Sequence, residues 1–368
     1  MSSPDAAAES SAPPQRVVFP NVLERPELHT PYAWFRRHIL LFGLYSVWVC
    51  GLGFMTGMWL FSFVCIGRTA LSLGATPMPW VVQLYLFAMA LYYSTHHILF
   101  YAKPQGEWKE LRAIGRHSLV KFPYFRHAVC IFEDREEECI KEPCKPMVPP
   151  NDKLLTAYHP HGVLSAGFAF NGVHSMRFQE SDARWLVAEN LFWFPLLRDI
   201  LHWLNFDDVS KDTFVGHMKQ DRNVSLIPGG FEEATVYERG KHRAFIKNRF
   251  GFIKLALQFG YKVRAAYTFG EEETFHAMPY FLKQRMMLNY WKVPGVVFYG
   301  RLLCFFLPLE NLELTTVISK PIQMPRIENP TREDVAKYHQ IYIDMLVALF
   351  ERNKHKYAKD PTATLEIF

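Results

Sequence analysis

Two long stretches without charged side chains stand in the first third of the chain. The first runs from Ile39 to Gly67 and the second from Thr69 to Ala102, and a segment with one glycine and two prolines separates their most apolar parts. About 20 apolar residues are enough for a helix to cross a bilayer. The pattern therefore predicts a transmembrane helical hairpin over residues 36–103.

Basic residues flank this hairpin on both outer sides. Arg36 and Arg37 precede it, and Lys103, Lys109 and Arg112 follow it. Cytoplasmic flanks of membrane helices carry an excess of lysine and arginine. We therefore expect a multi-pass hairpin with both chain termini in the cytosol. The alternative is a buried hairpin in a soluble core, and the length of the uncharged run disfavours it.

Residues 1–35 precede the hairpin and differ from it in composition. Their first 30 residues are rich in serine, alanine and proline and show no hydrophobic period. Such composition is typical of disorder, so we predict a disordered tail. The first 16 residues hold no apolar core, and no cleavable signal peptide is expected.

Residues 104–368 alternate between short apolar runs and segments of helical period, which predicts an α/β domain. Such alternation favours a mostly parallel sheet flanked by helices. The clearest helix combines a capping pair, Thr331 and Asp334, with an apolar face that includes Tyr342. The predicted strands are 153–158, 184–188, 223–228, 261–269 and 314–319, and the predicted helices are 191–204, 212–220, 243–259 and 332–357.

A third apolar region, residues 278–309, mixes large apolar side chains with Lys283, Arg285, Lys292 and Arg301. The basic groups make it a poor membrane span. The mixture fits a segment that lies at a membrane interface with its charges at the headgroups. A core segment with solvated charges fits equally well, and both interpretations stay open.

Composition narrows the classes of partner. Hydrophobic residues make up 49% and aromatic residues 15% of the chain, and the net charge is +5. This charge suits anionic headgroups or phosphates and is too small to indicate nucleic acid. The six cysteines form no CxxC pair, which favours reduced thiols in the cytosol. No metal site is predicted.

Candidate chemistry begins at His159, Pro160, His161 and Gly162, directly after an apolar run. Residues two apart in an extended segment project to the same side, so both imidazoles are expected to face one pocket. Gly162 permits a sharp turn and close approach of a ligand. A structural pair of hydrogen-bonded histidines is the alternative for these residues taken alone.

A second cluster follows the predicted strand 223–228. Gly229 and Gly230 form a turn, and Glu232 and Glu233 come at the expected start of a helix. The carboxylates suit a helix N-terminus structurally. A carboxylate on this turn would also orient a histidine at a neighbouring strand end. Amides of the glycine turn would face a developing oxyanion.

A basic segment, residues 241–254, forms the third cluster. It carries five lysines or arginines and a histidine without one acidic residue, which suits a phosphate-bearing ligand. A solvated or membrane-facing basic helix is the alternative. The basic residues are Lys241, His242, Arg243, Lys247, Arg249 and Lys254.

Taken together and in order, these motifs resemble the type-2 diacylglycerol acyltransferase family, which includes monoacylglycerol and wax-alcohol acyltransferases. The resemblance runs from the hairpin to the C-terminus. It rests on His159-Pro160-His161-Gly162, on residues 190–198, on Pro228-Gly229-Gly230 with Glu233, on residues 249–256 leading to Phe269-Gly270-Glu271, and on Lys320-Pro321-Ile322.

The resemblance implies a glycerolipid-acyltransferase-like α/β fold and transfer from acyl-CoA to diacylglycerol, with no bound cofactor. It implies an endoplasmic reticulum membrane enzyme that also reaches lipid droplets; homo-oligomerisation stays open. We expect His161 to be the general base, His159 its support and Glu233 the acid that steadies the imidazolium. We expect Gly162, Gly229, Gly230, Arg249 and Lys254 to contact the acyl-CoA.

One departure matters for these roles. Other glycerolipid acyltransferases place an aspartate five residues after the histidine, whereas Ala166 stands five residues after His161. The orienting acid must then come from elsewhere, and Glu233 is the candidate.

Three alternatives to triacylglycerol synthesis remain at this point. Monoacylglycerol or a fatty alcohol would serve as acceptor if the tunnel shape favoured it. His159 and His161 would instead bind a metal in a hydrolase, which a chelator-sensitive activity would reveal. A non-catalytic, membrane-shaping protein would associate with droplets and transfer no acyl group.

Overall fold

The computed structural model describes residues 16–97, 106–194 and 197–368, and its strands build one large sheet and two small ones. The described strands are β1 His127–Phe132, β2 Leu154–His159, β3 Arg184–Val187, β4 Phe206–Asp208, β5 Val224–Leu226, β6 His242–Ala244, β7 Lys262–Phe269, β8 His276–Ala277, β9 Phe298–Tyr299, β10 Glu313–Ile318, β11 Ile322–Gln323 and β12 Leu365–Ile367.

The large sheet has the order β1-β10-β7-β2-β5-β3-β4, with β11 also paired to β7. Strands β7, β2, β5, β3 and β4 are parallel neighbours, whereas β10 and β11 run antiparallel to β7. All six residues of β2 are buried, as expected for a strand covered on both faces. The prediction of a mostly parallel sheet flanked by helices is confirmed.

The helices lie before and between these strands. They are α1 Pro31–Leu71, α2 Trp80–Tyr92, α3 Lys109–Lys121, α4 Glu136–Lys141, α5 Ala166–Phe168, α6 Leu197–Trp203, α7 Lys211–Lys219, α8 Gly230–Thr235, α9 Gly251–Phe259, α10 Leu282–Asn289 and α11 Arg332–Tyr357. Helix α11 has the predicted bounds, and Thr331 and Asp334 form the predicted capping box.

Two helix predictions need correction. Residues 243–259 are helical only from Gly251 onward, because β6 ends at Ala244 and pairs with β12, and a loop over residues 245–250 precedes α9. The predicted helix over residues 191–204 begins inside a 3₁₀ turn, Glu189–Trp193, and α6 starts only at Leu197. Residues 195 and 196, which belong to the motif at residues 190–198, lie outside the described residues.

The disordered tail does not extend to residue 35. Residues 16–28 lie against the domain: the amide of Val22 donates to the Arg126 carbonyl, and the ring of Phe19 contacts His127. Leu28 is buried. These apolar side chains anchor a segment whose average composition is typical of disorder. Residues 1–15 lie outside the described residues.

Helix α1 has two parts with different surroundings. In the first part Leu41 and Tyr45 are buried against the domain, so the predicted span beginning at Ile39 starts too early. The second part, Gly51–Leu71, is long and apolar enough to cross a membrane and is only 11% buried. Among the described residues it alone meets that criterion.

Helix α2 packs along the second part of α1. The Tyr85 ring lies 5.9 Å from Trp59, and its hydroxyl donates to the Met55 carbonyl at 3.4 Å. Helix α2 continues as a π turn to His97, and the predicted second span from there to Ala102 lies outside the described residues. The hairpin as a transmembrane unit stays a prediction.

A second apolar core connects α1 to the sheet. It joins Leu41 and Tyr45 to Val163 and Ala166, which follow β2, and to Phe306. The helix that leads to the candidate span therefore packs directly on the segment after His161.

Candidate active site

Three adjacent parallel strands bring candidate residues to one edge of the sheet. His161 follows β2, Glu233 follows β5 on the next strand, and Glu271 follows β7 on the other side of β2. Ligands of α/β proteins bind outside the carboxyl ends of parallel strands. The topology therefore assembles the site from segments that lie far apart in the sequence.

The imidazole of His159 is completely enclosed. Its side chain is 0% exposed, Nδ1 lies 3.3 Å from Glu233 Oε1, and Nε2 lies 2.9 Å from the Tyr342 hydroxyl. A carboxylate only accepts, so Nδ1 donates to Glu233 and Nε2 accepts from Tyr342. Burial keeps the pKa of Tyr342 well above its usual value, which keeps this donor protonated. His159 has no nitrogen left for a substrate.

The residue His161 is partly exposed, and its imidazole has different partners. Its Nδ1 lies 3.1 Å from the Gly162 carbonyl and 3.2 Å from Ser165 Oγ. Because the carbonyl only accepts, the hydrogen is on Nδ1 and the lone pair is on Nε2. The prediction that both imidazoles face one pocket is wrong, since only His161 is accessible.

Burial lowers the pKa of His161 below its usual value of 6.5, while the Gly162 carbonyl and the charge of Glu233 raise it in part. The ring is therefore neutral at pH 7 and able to accept a proton. The nearby negative charge stabilises the imidazolium that would form.

The carboxylate of Glu233 in α8 accepts hydrogen bonds from three residues around the site. Its side chain is buried, and Oε1 accepts from the His161 amide at 2.7 Å while Oε2 accepts from the Phe245 amide at 2.9 Å. It also accepts from the His159 ring. The expectation that Glu233 orients the imidazole of His161 needs correction: Glu233 orients the imidazole of His159 and the backbone of His161.

Gly162 after His161 and Gly229 after β5 leave space that carboxylate side chains occupy. A Cβ on Gly162, which has φ +62°, would stand 2.1 Å from Glu271 Oε1, and one on Gly229 would stand 1.8 Å from Glu233 Oε2. The amide of Gly230 donates to the Ile227 carbonyl. Gly230 therefore does not offer the oxyanion donor that the sequence suggested, and the other roles at acyl-CoA remain predictions.

The basic segment, residues 241–254, contacts Glu233 and its neighbour Glu232. Arg249 pairs with Glu232 at 2.5 Å and lies over the Phe245 ring, so its charge is largely compensated. Lys254 is exposed on α9, and Lys247 is exposed in the preceding loop. Arg243 pairs with Glu238 and Glu366. Lys247 and Lys254 are thus exposed lysines of this segment that form no ion pair with the described carboxylates.

Sequence reasoning missed three residues of the site. Tyr342 was assigned only to an apolar helix face, Ser165 belongs to no motif, and Glu271 was noted only as part of a motif. Two amides, those of Ala166 and Gly167, donate to Glu271. The only sequence signal for Glu271 was its place in the Phe269-Gly270-Glu271 motif. Within the described ranges, no three His, Cys, Asp or Glu side chains gather as metal ligands do.

Comparison with known proteins agrees with the motifs. The diacylglycerol acyltransferase family model matches residues 143–368. Mouse diacylglycerol O-acyltransferase 2-like protein 6 is 32% identical over 240 residues, 59% of this chain and 71% of that protein. Diacylglycerol O-acyltransferase 2 of Dictyostelium discoideum is 31% identical, and human acyl-CoA wax alcohol acyltransferase 2 is also 31% identical, each with the same coverage.

Among solved structures, the 1-acyl-sn-glycerophosphate acyltransferase of Thermotoga maritima is similar over 89% of this chain and 100% of its own, with a TM-score of 0.40 and 11% identity. The family model covers more than half of the chain, and the mouse relative exceeds 30% identity. The family predicted from the motifs is confirmed. The chain belongs to the diacylglycerol acyltransferase family.

Proposed function

We propose that this protein transfers the acyl group of acyl-CoA to the free hydroxyl of diacylglycerol, giving triacylglycerol and CoA. Nε2 of His161 accepts the hydroxyl proton as the oxygen attacks the thioester carbon. The C–O bond forms, the C–S bond breaks, and His161 returns the proton to the thiolate. The observation that carries this proposal is the accessible, neutral His161 beside the fully engaged His159.

The enzyme acts at the endoplasmic reticulum membrane, with both termini cytosolic, and also at lipid droplets. Two surfaces support this placement. Gly51–Leu71 is apolar and exposed. Residues 280–305 expose large apolar side chains, with Leu302 and Leu303 fully exposed and Tyr290 87% exposed. Exposed apolar surface of this extent is typical of membrane contact.

The chain segments next to these two surfaces contact each other. The ring of Phe42 in α1 lies 5.6 Å from Phe306, and His38 pairs with Glu310 at 2.9 Å. Arg285 does not reach headgroups as the sequence suggested, because it is buried and donates to the Thr235 and Gly295 carbonyls. The interfacial alternative for 278–309 is therefore supported by its apolar side chains and by the exposed Lys283 and Lys292.

The acceptor is tested by competition. Microsomes that contain the protein receive labelled acyl-CoA with diacylglycerol, monoacylglycerol and fatty alcohol together, and His161→Gln is the control. We expect labelled triacylglycerol to be the main product. A wax ester as main product would assign the activity named for the human wax alcohol relative, and equal label in control and wild type would contradict the proposal.

The CoA phosphates are proposed to contact Lys254 and Lys247. An exposed charge pair contributes roughly 1 kcal/mol, or about fivefold in binding. Lys254→Ala should therefore raise KM for acyl-CoA about fivefold with kcat nearly unchanged, which is the signature of lost ground-state binding. Lys337→Ala, an exposed lysine on α11, is the control. Equal KM values for both variants would contradict this contact.

A further inference from the structure

The carboxylate of Glu271 fills the inside of the turn that follows His161. Its side chain is 0% exposed, Oε1 accepts from the Ala166 amide at 3.0 Å, and Oε2 accepts from the Gly167 amide at 2.6 Å. The space that a Cβ of Gly162 would need is occupied by the same carboxyl group. The carboxylate thus binds the two amides at the end of the segment 162–167 and lies close to the backbone of Gly162 at its beginning.

The backbone of Glu271 is itself fixed. Gly270 has φ +91°, and a Cβ there would stand 1.9 Å from the Glu313 carbonyl, so only glycine lets the chain turn at the end of β7. The hydroxyl of Thr274 donates to the Glu271 carbonyl at 2.7 Å. The Phe269-Gly270-Glu271 motif therefore delivers a carboxylate from β7 to the turn after the neighbouring strand β2.

Burial makes an ionised carboxylate at position 271 energetically unfavourable. Burial raises its pKa to about 8, the two amides lower it in part, and the adjacent Glu272 raises it further. The other titratable groups that face it are the hydroxyls of Tyr45, Tyr237 and Tyr267. Within 16–97, 106–194 and 197–368, no lysine or arginine pairs with it. Buried, unpaired carboxylates with perturbed pKa values cluster at functional sites.

We propose that Glu271 is a positioning residue for His161, because its ionised carboxylate grips both amides of the turn that presents the imidazole. This role rests on the proposed acyl transfer. In the ionised form both oxygens are strong acceptors, whereas protonation places a hydrogen on one of them and weakens it as an acceptor. The hydrogen bonds from the two amides, and with them kcat/KM, should therefore strengthen as pH rises through about 8. The separate loss of activity caused by protonation of His161 lies below pH 6.5.

The test compares Glu271→Gln and Glu271→Asp with wild type in microsomes from pH 5.5 to 9.5. Glutamine has one acceptor oxygen and places an NH2 group against the second amide. We expect Glu271→Gln to lose about 10²-fold in kcat, since small misplacements of a reacting group have such effects. It should also lose the rise near pH 8, whereas Glu271→Asp should keep that rise at lower rate. Glu273→Gln, whose carboxylate pairs with Arg239, is the control.

Amide exchange of the peptide that spans residues 162–170 is measured on the same samples. Protection, corrected for intrinsic pH dependence, should be lower in Glu271→Gln than in wild type. The pH profile is independent of how much variant protein folds. A Glu271→Gln profile that keeps the rise near pH 8, or unchanged exchange, would overturn the proposal. Wild type without transfer at any pH would instead contradict the proposed function, and exchange alone then decides the Glu271 contact.

Discussion

Replacing His161 by glutamine should lower kcat by about 10²–10⁴-fold, the usual effect of losing a general base. Glutamine keeps a donor for the Gly162 carbonyl but offers no lone-pair nitrogen to the acceptor hydroxyl. The site should otherwise stay intact, because Glu233 holds His161 through its backbone amide. The measurement is labelled triacylglycerol formed per amount of protein in microsomes, with membrane association as a check on folding.

His159→Gln is the matched variant. A glutamine there still donates to Glu233 and accepts from Tyr342, so the hydrogen bonds that enclose the ring are retained. We expect its activity to stay within about tenfold of wild type, since His159 positions and does not touch the substrate. If His159→Gln is inactive and His161→Gln is active, the roles of the two histidines are reversed.

The parts of the fold that the sequence predicted well depend on local signals. Helix α11 was predicted with its observed bounds because a capping box and a continuous apolar face both lie within 27 residues. Strand β2 was placed within one residue because its residues are mostly apolar and Pro160 follows directly after its last residue. Local propensity and tertiary packing agree at these elements.

The parts that were missed depend on distant partners. Residues 242–244 form strand β6 only because Leu365–Ile367 pair with them, and a helical period in the same residues gave the opposite prediction. Glu233 was predicted to orient the imidazole of His161, but its carboxylate meets the imidazole of His159, and which imidazole it meets depends on the arrangement of β2 and β5. Glu271 reaches its turn only through the parallel pairing of β7 with β2.

Glu233→Gln should have the second large effect, on activity and on stability together. The carboxylate accepts from three donors on separate segments: the His159 ring, the His161 amide and the Phe245 amide. Glutamine leaves one acceptor oxygen and turns an NH2 group toward a donor. Hydrogen bonds to charged groups contribute roughly 1.5–3 kcal/mol each. We expect unfolding to become easier by about 2 kcal/mol and kcat to fall about 10²-fold.

Glu232→Gln separates this expectation from a general effect of removing a carboxylate from α8. Glu232 is the preceding residue, lies at the surface and pairs with Arg249, so its loss leaves the contacts of both histidines in place. Its kcat should stay within about twofold of wild type, with any change confined to KM for acyl-CoA. The two variants differ only in which side of α8 they alter. Equal kcat values for both would show that the three donors do not need the charge of Glu233, and the orientation of His161 would then have to come from Glu271 alone.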